Sequence, residues 1–310
     1  DEARRHIIGD IARHLLTLET DKGLPVEVWR DIFPDGELSL RILNPDIVKD
    51  AKIMVTRAIN SCDDVVEIVL LTEMLRRYGA KDIRLVLDKP YNFTNGLDKI
   101  LRYSCDGIGY RDGREIKELA TVPLETIVKK KSPLWVNWVL YQHSRLNNDA
   151  EEAAGIIKGK SAKIEVKKEA QNPLNWSVVL PEGLKNENVV LVHSTENTLD
   201  IVELWLMLVA LRQANVASIS LINTYEGYSR QDKVFRTGEG VSAVTMLKII
   251  DTLVDNHMAL NVHYGKQSGE VRLGGYRLYN LNAFVQIGER LFDMLAEWQK
   301  KGNLAEELKT

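Results

Sequence analysis

Cysteine is nearly missing from this sequence, which contains only Cys62 and Cys105. Their spacing matches neither a metal-ligand motif nor a disulfide framework, and a reducing, cytoplasmic setting is the simplest expectation. Long apolar runs are missing too. The stretch VELWLMLVALRQA (202–214) is strongly apolar, yet Glu203 and Arg212 bracket a segment too short to span a bilayer, so no membrane insertion is expected. No signal-peptide pattern opens the sequence, which starts at Asp1 without a Met and reads as a trimmed or partial chain. Nor does one sign of charge dominate: 41 Lys and Arg stand against 44 Asp and Glu, a net charge of −3. Such a balance supports neither a general nucleic-acid surface nor an acidic tail. The one basic run, Lys129-Lys130-Lys131, reads as a solvated turn.

What is present is repetition. The chain has 310 residues, 45% of them hydrophobic, enough for two packed domains. DAKIMVTRA (50–58) and NENVVLVHS (186–194) are both buried-strand patterns followed by a polar turn. Sliding one onto the other carries DVVEIVLLTEMLRR (64–77) onto DIVELWLMLVALRQ (200–213) without a gap. Asp64 falls on Asp200, Glu67 on Glu203, Leu75 on Leu211 and Arg76 on Arg212, always 136 residues apart, and DIRLVL (82–87) then falls on SISLIN (218–223). Strand, helix and strand at one constant offset predict a duplicated βαβ unit with parallel strands and a right-handed crossover. The expected organisation is therefore two α/β domains, 1–145 and 146–310, each a mostly parallel sheet flanked by helices. The boundary is placed near HSRLNND (143–149). The two repeated helices are apolar nearly all round, which suits either an ordinary core or a contact between domains or subunits.

Each unit has a preface. The first is expected to open with an amphipathic helix near Glu2 to Leu18, followed by two alternating strands around the turn Pro34-Asp35-Gly36. The second offers a helix in NDAEEAAGIIKGK, a strand in AKIEVKK and a further element in NWSVVLPEGLKNE. The loops have diverged in opposite directions. FPDGE (33–37) in the first half becomes LPEGL (180–184) in the second, whereas GYSRQDK (227–233) corresponds to the uncharged YNFTNGL (91–97). Each half keeps one polar loop and has blunted the other.

FPDGE, the long apolar helix, GYSRQDKVF, GEGVSA, NVHYGKQSG and LYNLNA together resemble the ribose-phosphate diphosphokinases, or PRPP synthetases. The resemblance covers Asn188 to Ala283 and, more loosely, Arg4 to Phe93. It implies tandem copies of that family's N-terminal-type domain. It also implies nucleotide contacts from Arg230, Gln231 and Asp232 on one loop, and from Phe33, Asp35 and Glu37 on the other. Arg230 suits phosphate, Phe33 could stack on a purine, and Asp35 and Glu37 could accept its amine protons. His263 falls on the family's metal- and phosphate-facing histidine. ATP or ADP with Mg²⁺ are the implied ligands, and oligomers, with itself or with a catalytic PRPP synthetase, the implied partners. No catalytic residue is assigned: nothing in these 310 residues matches the family's Asp-Asp-x-x-x-Thr-Gly phosphate loop or its Lys-x-Arg flap. Asn261, Val244 and Tyr279 also depart from the family's pattern.

Plainer alternatives stay open for each residue. Arg230 to Asp232 could form a self-satisfied salt-bridging turn, the Phe33–Glu37 hairpin an assembly contact, and His263 a structural hydrogen bond. Three functions fit: a nucleotide-binding, non-catalytic or regulatory relative; part of an active diphosphokinase whose ribose-phosphate domain lies outside this sequence; or a ligand-free scaffold.

Overall fold

The computed structural model describes residues 12–33, 37–90, 97–119, 136–169 and 172–284, together with 290 and 294. The first half contains β1 (Ala12–Thr20), β2 (Pro25–Ile32), β3 (Leu38–Ile42), β4 (Lys52–Arg57), α1 (Cys62–Arg77), β5 (Asp82–Leu87), α2 (Leu97–Ser104), β6 (Gly107–Asp112) and β7 (Glu115–Glu118). The second contains β8 (Trp138–Tyr141), α3 (Asn147–Ile157), β9 (Lys160–Lys163), β10 (Glu165–Glu169), β11 (Asn172–Val179), β12 (Asn188–His193) and α4 (Thr198–Gln213). It continues with β13 (Ser218–Asn223), α5 (Ser242–Leu253), β14 (Asn256–Leu260), β15 (Gly269–Leu273) and β16 (Tyr276–Leu281). Two seven-stranded sheets result, β3-β2-β1-β4-β5-β6-β7 and β15-β16-β14-β13-β12-β8-β9. The second is parallel from β9 to β16, with β15 the one antiparallel strand. In the first, parallel pairing joins the central β4, β5 and β6, and antiparallel strands flank them. The chain is of the α/β class, with helices flanking both sheets.

The 136-residue offset reappears in the element bounds. β4 and β12, α1 and α4, and β5 and β13 begin and end at corresponding residues. The helix starts share a mechanism as well. Ser61 Oγ accepts the Asp64 N–H while Asp64 accepts the Ser61 N–H, and Asn197 and Asp200 repeat that reciprocal capping box. Two orphan backbone donors are satisfied at each start. The burial of the strands differs: all six residues of β12 are buried, whereas β4 alternates, exposing Lys52, Met54 and Thr56. β12 is therefore covered on both faces and β4 on one.

The prefaces differ more. The helix expected near residues 2–18 is not found in its described part, because residues 12–20 form β1, antiparallel to β2. The reason is a period of two: Leu16, Leu18 and Thr20 turn inward and Leu15, Thr17 and Glu19 outward. Residues 1–11 lie outside the described residues. In the second half the preface is a helix, α3, as expected. β8 precedes the 145/146 boundary but pairs with β12 and β9 in the second sheet.

Helices α1, α2, α4 and α5 pack on one another between the sheets. One continuous apolar cluster runs from Val28 and Leu71 in the first half to Leu204 and Ile250 in the second. The two apolar helices thus meet each other, and Trp205 at the centre of α4 is fully buried. Polar ties stitch the same seam: Lys248 Nζ to Glu73 at 2.8 Å and Thr252 Oγ1 to Tyr103 Oη at 3.0 Å. Gly238 shows how closely the backbones approach. Its φ is +89°, and a Cβ there would stand 1.9 Å from the Ile42 carbonyl oxygen. On the far face of the second sheet, α3 closes a separate cluster with Val139, Val190 and Val192. Among the described residues no helix is long and apolar enough to cross a membrane.

Candidate functional site

The carboxyl ends of the parallel strands β12, β13 and β14 converge on one edge of the second sheet, the usual ligand position in open α/β sheets. The loop that follows β13 is anchored from beneath by a buried polar network. Asn223 Nδ2 donates to Glu226 Oε2 at 2.7 Å and to Thr195 Oγ1 at 3.1 Å, and Thr195 Oγ1 also accepts the Gly227 N–H at 2.9 Å. His257 Nε2, from β14, stands 3.3 Å from the same Glu226 oxygen. Buried polar groups so connected rigidify the segment that carries them.

Above this network the loop meets the first-half hairpin within the same chain. Tyr228, at φ +61°, is a non-glycine residue in the left-handed region, and its side chain is buried. Its N–H donates to Glu37 Oε1 at 3.3 Å, and its hydroxyl accepts the Leu38 N–H at 3.3 Å. Gln231 is buried as well. Its Nε2 donates to the Leu38 carbonyl at 3.3 Å and its Oε1 accepts the Ser242 hydroxyl at 2.6 Å. Hairpin, loop and the start of α5 are thereby clamped together. The Tyr228 hydroxyl is pushed to a raised pKa by burial first, so it stays protonated.

The structure brings Glu37 and Gln231 into this junction. Phe33 is 6% exposed at the base of the hairpin, where its N–H donates to the Glu37 carbonyl at 2.9 Å. Asp35 lies outside the described residues. Arg230 points to solvent and Asp232 is half-buried. The Tyr264 hydroxyl is buried, without a hydrogen-bond partner among the described residues. Burial raises its pKa first, and the Glu226 and Asp232 carboxylates add to the rise. The turn after β14 therefore feels the charge of the loop. His263, beside Tyr264, is exposed.

A second constellation, not foreseen from the sequence, lies at the ends of β8 and β12. His143, His193 and Glu203 each bring a ligand-type atom within 4.8 Å of the others. The imidazole centroids are 5.5 Å apart, and His143 Nε2 is 3.5 Å from Asp200 Oδ1 and 4.0 Å from Glu203 Oε2. His193 is fully buried, and neither ring nitrogen has a hydrogen-bond partner among the described residues. Burial, helped by His143 and Arg145, lowers its pKa to about 3, so the ring is neutral. An open cavity of about 300 Å³ adjoins the cluster, lined by His143, Arg145, Glu196, Asn197 and Asp200. The 136-residue offset does carry a signal for part of it, since it sets His193 on Arg57 and Glu203 on Glu67. Nothing in the sequence ties His143 to them.

Residues 140–253 match the family model described as the N-terminal domain of ribose phosphate pyrophosphokinase. A ribose-phosphate pyrophosphokinase of Staphylococcus saprophyticus is 29% identical over 117 residues, which is 37% of this chain and 36% of that protein. One from Methanosarcina mazei is 37% identical over 84 residues, 27% of each chain. The chain thus spans well under half the length of these relatives. The crystal structure of phosphoribosylpyrophosphate synthetase from Mycobacterium smegmatis aligns with 96% of this chain and 95% of its own, at 12% identity and a TM-score of 0.34. That likeness is too distant for site geometry to be compared. Residues 140–253, the part that carries the 227–233 loop and the strands beneath it, are thus similar to the N-terminal domain of ribose phosphate pyrophosphokinase.

Proposed function

We propose that the chain is a nucleotide-binding, non-catalytic or regulatory member of the ribose-phosphate pyrophosphokinase family, taking ATP or ADP at the 230–232 loop. The observation that carries this reading is the junction of the two retained loops: Glu37 and Leu38 of the first half hold Tyr228 and Gln231 of the second. The resemblance implies nucleotide contacts from both of these loops, and here one polypeptide supplies both and brings them together. The first unit is then a second copy of the N-terminal-type domain, turned into the partner of the other.

Roles divide by burial. Gln231 and Glu37 are spent on the clamp, while exposed Arg230 and half-buried Asp232 remain to meet phosphate and water. Phe33 is covered, so stacking on a purine requires its ring to be uncovered on binding. A protein-held magnesium ion fits less well. Asn261, where the family carries an aspartate, uses its Oδ1 to accept the Ala283 N–H at 3.0 Å, which leaves Mg²⁺ to arrive with the nucleotide phosphates. With no phosphate loop or flap in these residues, phosphoryl transfer lacks its positioning and charge-stabilising parts.

Thermal melting of the whole chain with millimolar MgATP or MgADP tests the reading. At about 100 times Kd the nucleotide should add roughly 2.7 kcal/mol to stability, and Arg230→Ala should remove that gain without changing the unliganded melting temperature. A folded protein whose melting is indifferent to nucleotide is a scaffold. AMP release dependent on ribose 5-phosphate would show the non-catalytic assignment to be wrong.

A further inference from the structure

We infer that His143, His193 and Glu203 form a binding site for a zinc-class divalent metal ion at the carboxyl ends of β8 and β12. Two imidazoles and a carboxylate are the donor set that such ions prefer, and imidazole favours them over magnesium or calcium. The ligand atoms all lie within 4.8 Å of one another, so one ion can reach all three after small rotamer changes. His193 carries the strongest indication: it is fully buried, and neither ring nitrogen has a hydrogen-bond partner among the described residues. Buried polar atoms in native proteins are nearly always satisfied, and a cation among these ligand atoms would satisfy the imidazole lone pair.

The first half supplies an internal control. There the matching glutamate, Glu67, faces Arg30 at 2.7 Å and Arg57 at 3.4 Å. In the second half Arg57 becomes His193, and the other facing group is His143. Two fixed positive charges have been exchanged for two metal-ligand side chains around the same buried carboxylate. The exchange turns a site that holds its carboxylate with guanidiniums into one whose facing side chains are metal-ligand types. Asp200 adds a further carboxylate beside the site. Its Oδ2 accepts the Glu196 and Asn197 backbone N–H groups, while its Oδ1 faces His143 Nε2 at 3.5 Å. Arg145 lines the adjoining cavity, and Glu196 pairs with it at 2.9 Å. The adjoining cavity of about 300 Å³ provides an entry path and room for water at an open coordination position.

The test uses the untagged full chain, stripped with chelator and titrated with Zn²⁺ by calorimetry and with Co²⁺ by visible absorption. One equivalent should bind, with the Co²⁺ ligand-field bands of a low-symmetry nitrogen–oxygen site, and Mg²⁺ should not compete. His143→Ala, at a partly exposed position, and Glu203→Gln should each weaken Zn²⁺ by at least about tenfold; His263→Ala should leave it unchanged. His143→Ala should melt like the stripped parent, and added Zn²⁺ should raise the melting temperature of the parent alone. A folded chain that takes up neither ion overturns the site. So does binding that survives His143→Ala or is lost with His263→Ala.

Discussion

The two βαβ units bury the same glutamate in two different ways, and the contrast shows how a repeated backbone acquires separate chemistry. Glu67 and Glu203 sit at matching positions of helices with corresponding bounds and matching capping boxes. Around Glu67 the neighbours are guanidiniums, permanent charges with no spare lone pair. Around Glu203 they are imidazoles, one of them fully buried. The first arrangement is a closed ion cluster, and the second can accept a ligand. The helix is common to both units, and the side chains brought to it from other strands make the difference.

The sharpest way to break the comparison is at the helix centres. Trp205 is the counterpart of Val69, and both are fully buried where α1 and α4 meet. Trp205→Ala should cost about 3–5 kcal/mol, by the usual range for a buried aromatic. Val69→Ala should cost about 2 kcal/mol, at roughly 0.8 kcal/mol per methyl group removed. Chemical denaturation would measure both. Equal losses would mean that the two helices do not share one core.

The ion cluster comes next. Arg30→Ala removes the 2.7 Å partner of Glu67 and should destabilise by about 3 kcal/mol at neutral pH, the low end for breaking a buried pair. Its pH dependence has a definite sign. Burial, the largest influence, raises the Glu67 pKa above 4.5, against the opposing pull of Arg30 and Arg57. A carboxyl whose folded pKa exceeds its unfolded value favours the folded state most below the unfolded value. That contribution is lost as pH rises through the folded pKa. Stability attributable to Glu67 should therefore fall on going upward from about pH 4.5, more steeply in Arg30→Ala. Glu67→Gln should flatten the profile; an unchanged profile would show that Glu67 does not titrate there.

The smallest effects test what the units share. Ser61→Ala and Asn197→Ala each remove an N-cap that accepts the N–H three residues on. Each should cost about 1 kcal/mol by helix-cap precedent. A large inequality, read by denaturation, would show that one helix start is held by tertiary contacts instead of its cap.

Much of this molecule was legible in local pattern. The constant offset placed both βαβ units, and polar loops in strand–loop context carried the family resemblance. The N-terminal preface was misjudged because ARHLLTLET supports both helical and alternating patterns, and β2 is what selects the strand. The Glu37–Tyr228 and Leu38–Gln231 bonds join residues about 190 positions apart, a pairing that divergence of the loops suggested but no periodicity could specify.

The sequence by itself determined the repeated strand–helix–strand frame, its caps and the buried faces of its helices, because those depend on neighbours one to four residues away. Only the tertiary structure decided that α1 and α4 cover each other, that the hairpin clamps the 228–231 turn, and that His143 joins His193 and Glu203. Those contacts depend on where separate elements are carried in space. A buried charge is compensated by whichever groups the packing delivers, and packing is a property of the whole chain.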